Sequence, residues 1–377
     1  MTATVPSMIG QFNMDNIQIL QKLGYEVDVA CDFNDRSVWT DQRVNAFIEE
    51  LEKKHIRHFQ IDYSRNPLDI KSSVKAYKQL YELFTERRYV FSHCHTPVAS
   101  VLCRIVAHKM KVKCIYTAHG FHFFKGAPLK NWLVFYPIEK FLSHWTDSLI
   151  TINKEDYERA RKSFHSKNVE YVPGIGIDTK RIANIKCDGE EIRKKLGVSN
   201  SDIMLFSVGE LSNRKNHEVV IRIIKKIDNP NIKYYIAGQG SLESELLKII
   251  ENENLQNQVF LMGFRTDVIE LCKACDIFVF PSKQEGLPVA LMEAIACKVP
   301  VICSRIRGNV DLVLNDKYIF GCNSIEELEM ILAECIGKDI KEKFKNSIDE
   351  NYNNLKKFDI ENIRKKMNSI YVKMNSD

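Results

Sequence analysis

Two glutamates with seven residues between them, Glu285 and Glu293, bracket the stretch EGLPVALME within residues 281–293. Their carboxylates can accept hydrogen bonds from sugar or ribose hydroxyls. They are poor phosphate ligands, because like charges repel. The backbone can take that part: the N–H groups of Gly286 and Leu287, just ahead of a helix opened by Pro288, would face an anion. A loop carboxylate and a solvated helix carboxylate would share this spacing. Arg214 and Lys215 form a second group. Two adjacent cations after a Gly-Glu-Leu loop can stabilise the charge that builds on a departing diphosphate without a metal. An ordinary solvated basic pair is the bland alternative. His119, just before Gly120, is the third; a histidine there could orient a sugar or donate to a hydroxyl, with protonation adjustable near neutral pH. A capped structural histidine is the alternative there, and turn chemistry alone is the alternative for Gly238 and Gly240 at later strand ends. His93, His95 and His122 lie near His119 but lack a carboxylate at a spacing that would complete a metal site. No Asp-x-Asp stands out, and Cys272-x-x-Cys275 has no partner pair, so no metal is expected.

The elements that must hold these residues can be read from periodicity. Residues 277–280 (IFVF) are short and apolar enough for a buried parallel strand, 289–297 read as an apolar helix and 299–303 as another buried strand. That unit puts Glu285 at the carboxyl end of a strand, where ligands of such sheets bind. Earlier strands in the second half are expected at 204–208, 233–237 and 259–262. The first half reads as strands at 25–31, 59–63, 90–94, 112–117 and 148–152, with helices over 68–84 and 154–164. Residues 2–5 can supply only a very short first strand, and 6–12 read as a loop before a helix ending at residue 23. This alternation predicts an α/β chain of doubly wound parallel sheets. A length of 377 residues fits two domains, and the polar stretch 179–200 divides them.

Composition narrows the function. The chain is 45% hydrophobic and 27% charged with both signs, which argues against disorder. No apolar run reaches membrane-spanning length, and the start lacks a signal-peptide pattern. Many of the eleven cysteines sit in apolar runs and read as reduced core residues of a cytosolic protein. The formal charge of +5 is concentrated early: residues 104–140 hold seven basic residues and one acid. That excess overlaps the aromatic stretch FHFFKGAPLKNWLVFYPIEKFLSHW, residues 121–145. Phe121, Lys125, Lys130, Trp132 and Lys140 are therefore expected to meet an anionic membrane surface, with packing on the domain core as the alternative. Nucleic acid is not an expected partner, for want of a motif or a large charge excess.

Five blocks, in order, carry a resemblance to a family: Thr-Ala-His-Gly at 117–120, SVGELSNRKN at 207–216, IAGQG at 236–240, GFRTDV at 263–268 and the Glu285–Glu293 pair. They resemble the retaining family-4 glycosyltransferases of the GT-B fold, over nearly the whole chain. The resemblance implies two Rossmann-like domains facing a cleft: 1–178 for the acceptor, 179–350 for the nucleotide-sugar donor, and a C-terminal helix, 351–377, crossing back. It implies donor contacts at Gly10, Gly209, Arg214, Lys215, Gly263, Phe264, Arg265, Glu285, Gly286, Leu287, Pro288 and Glu293. It implies catalytic roles for His119, Glu285, Arg214 and Lys215. No cofactor is implied beyond the substrate, a nucleotide-diphosphate sugar expected to be UDP-linked. The expected acceptor is a saccharide on a polyprenyl diphosphate, used in bacterial surface polysaccharide synthesis at the inner face of the cell membrane. Related sequences open with a longer apolar run, and usually carry two glycines where only Gly10 stands. A nucleotide-sugar epimerase of similar shape and a non-catalytic nucleotide-sugar-binding protein are the alternatives. A dinucleotide-dependent dehydrogenase is not, since no Gly-x-Gly-x-x-Gly follows a strand.

Overall fold

The computed structural model describes residues 1–376 apart from Pro67 and Lys338. Asp377, the last residue of the expected C-terminal helix, lies outside the described residues. The chain forms two units: Met1–Gly176 together with Ile360–Asp377, and Ile177–Asp359.

The first unit carries β1 (Asp28–Cys31), β2 (Arg57–Gln60), β3 (Phe91–His95), β4 (Lys113–Ala118), β5 (Ser148–Thr151) and β6 (Asn168–Tyr171). β1 pairs with β2, and β3 to β6 pair in sequence order, all parallel. Thr2 joins the two sets by bridging Ala30 and Cys94. The short first strand expected at 2–5 is thus one bridging residue, because Pro6 starts a helix directly after it. Neighbouring residues on a strand point to opposite faces. Accordingly Ile115 and Ile150 pack with Ile9, Ile17 and Phe47, while Tyr116 and Leu149 pack with Leu80, Phe84 and Val106. Both faces are covered, as parallel sheets require. The last helix, Ile360–Ser376, gives Ile363, Met367, Ile370, Tyr371 and Met374 to the first of these cores.

Residues 6–12 are a helix, Pro6–Phe12, and not the expected loop; Pro6 takes an opening position where its missing N–H is harmless. Gly10 therefore lies within a helix. A Cβ on Gly10 would lie 2.4 Å from the Trp39 ring and 3.1 Å from Phe47. The missing side chain at Gly10 thus makes room for these aromatic rings.

The second unit carries β7 (Ile203–Val208), β8 (Ile232–Ala237), β9 (Val259–Leu261), β10 (Ile277–Phe280), β11 (Val301–Ser304) and β12 (Ile319–Phe320). Their order is β12-β11-β10-β7-β8-β9, all parallel. Sequence order reverses between β7 and β10, and loops after these two strands flank the crevice where such sheets bind ligands. Leu205, Ile236, Val279 and Ile302 pack against Val220, Ile224, Leu328 and Phe344. Residues 351–359 stay with this unit: Asn351 accepts from Leu314 N–H at 3.0 Å, and Asn354 donates to the Asp311 carbonyl at 2.8 Å.

Candidate active site

The β7 loop brings Arg214 and Lys215 together with Glu285 from the β10 loop. Lys215 Nζ lies 2.7 Å and Arg214 Nη1 3.1 Å from the same Glu285 carboxylate oxygen. Glu285 and Lys215 are nearly buried, whereas Arg214 is half exposed. Burial lowers the Lys215 ammonium from its ordinary value, and the Glu285 charge opposes that shift. Its stem lies across Gly209, where a Cβ would come within 3.0 Å of it, and its charge sits 4.9 Å from the Phe280 ring centre. The backbone laces the two loops together: Lys283 N–H donates to the Arg214 carbonyl at 2.8 Å, and Arg214 donates to the Gln284 carbonyl at 3.3 Å.

Downstream of Glu285, Gly286 and Leu287 lead to Pro288, which caps the helix Val289–Ala296. Gly308 fixes this turn from outside. Its φ of +79° favours glycine, and a Cβ there would stand 2.4 Å from the Gly286 carbonyl oxygen. Glu293, in the helix, is half-buried; burial raises its carboxyl from the ordinary value and the Arg181 charge opposes that. Gly263 pairs with Gly238 through an isolated bridge, Phe264 is exposed, and Arg265 is tied to Asp267 at 2.8 Å. Arg265 is thus committed to an ion pair, and Phe264 is the apolar surface of that loop.

In the first unit His119 follows β4 and lines a cavity of about 240 Å³ together with Thr117, Asn13, Ile152 and Arg364. Burial brings the His119 imidazole down to about 4, so it is neutral at physiological pH. Its Nε2 lies 3.1 Å from His95 Nδ1. His93 bonds instead to Tyr371 and Thr117, and His122 stacks on Phe135 at 4.5 Å. Among the described residues the one cluster of metal-type ligands is Cys94, Cys103 and Cys114. All three are buried in the core, and Cys94 Sγ lies 3.8 Å from Cys114 Sγ and 3.4 Å from the Ile115 carbonyl.

The segment 121–145 divides differently from the expectation. Phe121 is 2% exposed and packs in the core, and Trp132 is half-buried with the Arg159 guanidinium 4.5 Å over its ring. Phe121 is therefore kept from any membrane surface, while Trp132 remains partly exposed. The helix Leu129–Leu142 instead turns Leu129, Leu133, Val134, Ile138 and Phe141 outward, 42–73% exposed. Lys125 and Lys130 are exposed beside them and Lys140 partly so. The one acid of this helix, Glu139, is buried 2.8 Å from Arg104.

Sequence reasoning missed Arg307, which is 6% exposed and donates from Nε to the Glu285 carbonyl at 3.2 Å. The signal available was an arginine just past a buried strand. It also missed Thr117 and Tyr371 as partners of the histidines, since only β3–β4 register and the last helix bring them together.

Residues 11–181 match the family described as Glycosyltransferase Family 4, and residues 188–353 match Glycosyl transferases group 1. The chain is 33% identical over 318 residues to the proposed glycosyltransferase EpsD of Bacillus subtilis, covering 82% of this chain and 79% of that protein. It is 26% identical over 383 residues, 98% of this chain and 94% of the other, to the UDP-Gal:alpha-D-GlcNAc-diphosphoundecaprenol alpha-1,3-galactosyltransferase of Escherichia coli. In fold it is similar to HepE of Anabaena, solved with UDP-glucose, with a TM-score of 0.74, 18% identity and 99% of both chains covered. With two parallel-sheet units in the GT-B fold, this chain belongs to the family-4, group 1 glycosyltransferases.

Proposed function

We propose that the chain is a retaining glycosyltransferase that moves a sugar from a UDP-linked donor to a hydroxyl of a polyprenyl-diphosphate-linked saccharide. The observation that carries this is the pair of cations, Arg214 and Lys215, gathered on Glu285 by the two loops at the switch point of the second unit. The E. coli relative's name, with its UDP-sugar and undecaprenol-linked acceptor, supports the substrate classes. The bond from the anomeric carbon to the diphosphate oxygen breaks, and Lys215 and Arg214 stabilise the charge that collects on the leaving group. The acceptor hydroxyl attacks the same face, and its proton passes to the departing phosphate oxygen. Glu285 then positions the donor sugar and is not a covalent nucleophile, Glu293 accepts from the ribose, and His119 holds a sugar hydroxyl.

A donor panel incubated with extracted lipid-linked acceptors tests this, read by product mass and by NMR of the new linkage. The expected product keeps the donor's anomeric configuration, is accompanied by free nucleotide, and forms equally well in EDTA. An inverted linkage or a dead reaction in EDTA overturns the mechanism. Nucleotide sugar consumed with no heavier acceptor favours an epimerase.

The acceptor's lipid places the work at a membrane, since exposing a polyprenyl chain costs about 0.8 kcal/mol per CH₂. Among the described residues no helix is long and apolar enough to cross one. The outward face of Leu129–Leu142 lies in the interface plane at the inner side of the cell membrane, its apolar residues buried among acyl chains and Lys125, Lys130 and Lys140 at the headgroups. With Glu139 turned inward, that helix shows no negative charge to an anionic surface. Each lysine adds about 1 kcal/mol, so attachment is moderate and salt-sensitive. Changing all three lysines to Glu is expected to abolish sedimentation with anionic vesicles and to spare activity on a short soluble acceptor. Sedimentation as in wild type would place the membrane face elsewhere.

A further inference from the structure

Two side-chain relays end at the cavity of the first unit. In one, Tyr371 Oη lies 2.9 Å from His93 Nδ1, and His93 Nε2 lies 2.8 Å from Thr117 Oγ1. In the other, His95 Nδ1 lies 3.1 Å from His119 Nε2. Tyr371, His93 and His95 are at most 2% exposed, whereas Thr117 and His119 line the cavity. Burial holds all three imidazoles well below their ordinary value, hence neutral.

A neutral imidazole has one N–H and one lone pair, so each relay has a direction. A buried proton with no acceptor is the rarer fault, and this decides both cases. Tyr371 Oη has no other partner among the described residues, so it donates to His93 Nδ1. His93 then donates from Nε2 to Thr117 Oγ1, and the Thr117 hydroxyl proton is left for the cavity. His95 Nε2 is buried without a partner. A lone pair is tolerated there better than a proton, so His95 keeps its proton on Nδ1 and donates it to His119 Nε2. His119 must then carry its own proton on Nδ1, the nitrogen left for a ligand.

We infer that Tyr371, His93 and His95 are positioning residues that make this cavity wall a pair of hydrogen-bond donors, Thr117 Oγ1–H and His119 Nδ1–H, selecting a ligand by its oxygen lone pairs. The ligand class is a single neutral sugar ring. The arginine of the cavity, Arg364, is already committed to Asp15 at 2.9 Å and to Glu361 at 2.6 Å, so a phosphate would find no free cation there. Only the choice of a sugar rests on the transferase reading; the direction of the relays does not.

Long-range ¹⁵N–¹H NMR on the full-length protein with labelled histidine, free of nucleotide, reads the tautomers directly. The expected result is Nδ1–H for His95 and His119 and Nε2–H for His93. A proton on His119 Nε2 overturns the inference whatever the enzyme transfers. Glucose, galactose and N-acetylglucosamine are then titrated separately, and at least one is expected to shift the His119 Nδ1–H signal. No shift from any of the three overturns the ligand class. His95→Leu should mix the His119 tautomers and weaken that binding about tenfold, while His95→Asn, whose amide can donate in place of Nδ1, should stay within about threefold of wild type. Thr117→Val and Thr117→Ser form an independent pair should the histidine variants fail to fold: loss of about tenfold with Val, retention with Ser. Equal binding within either pair removes the positioning role.

Discussion

Lys215→Ala is expected to slow transfer by about 10²-fold or more, and Arg214→Ala by a similar factor, each equivalent to about 2.7 kcal/mol or more of barrier. Lys215 is the stronger case geometrically. It is nearly buried, its stem is held over Gly209, and it stands 2.7 Å from Glu285, so its charge is aimed before substrate arrives. Arg214 is more exposed but is tied through its carbonyl and guanidinium to the β10 loop. Because the leaving-group charge grows in the transition state, the loss should fall on kcat more than on KM. Single-turnover rates at saturating donor measure this. Turnover within about threefold of wild type for both variants would remove the pair from the mechanism.

Ending the chain at Asp359 is expected to unfold the first unit and leave the second folded. The missing helix buries Ile363, Met367, Ile370, Tyr371 and Met374, each at most 5% exposed, in the core that also holds Ile115 and Ile150. At about 2 kcal/mol per buried side chain, their loss is about 10 kcal/mol. That is comparable to the whole stability of a typical domain. The Lys113 ammonium would also lose the Met374 carbonyl at 3.0 Å. The second unit keeps its own sheet and core, including Phe344 and the asparagine bonds of residues 351–354. Limited proteolysis with mass spectrometry should show cuts throughout 1–176 and a protected fragment near 177–359. Protection of both would make the helix a passenger.

Much of the fold was legible because apolar strand cores are short and bounded. Residues 277–280 read as a strand and are one, Ile277–Phe280. At 59–63 the pattern misled, since Ile61 and Tyr63 are buried just past the end of β2, where the Ile61 N–H still donates to the Cys31 carbonyl of β1 but the Tyr63 N–H turns back to the Ile61 carbonyl. Residues 6–12 failed for another reason: a Pro and a Gly read as a loop, but the proline opens a helix and the glycine makes room for Trp39. Glu285, Arg214 and Lys215 could be found because each follows a buried strand, and strand ends converge in a parallel sheet. The face of the 129–142 helix could not, because it is apolar on both sides; only tertiary packing shows that Trp132 and Glu139 point inward while Leu133 and Phe141 point out. The histidine relays were equally hidden. Register pairs His95 with Thr117, and that offset sets His119 beside His95.

The buried neutral histidines have a consequence for proton balance. His93 and His95 are held well below their ordinary value, and His119 and His217 are brought down to about 4, in each case mainly by burial. The unfolded chain takes up protons at these sites as pH falls below about 6.5, while the native protein does not do so until the pH is far lower. Unfolding therefore absorbs protons in that window, and their contribution to stability, full above about pH 6.5, drains away as pH falls toward 4. Each histidine adds at most about 1.4 kcal/mol per pH unit to the slope. The melting temperature should fall steeply from pH 6.5 to 4.5 and flatten above 7; a level profile across that range would mean that water reaches these rings.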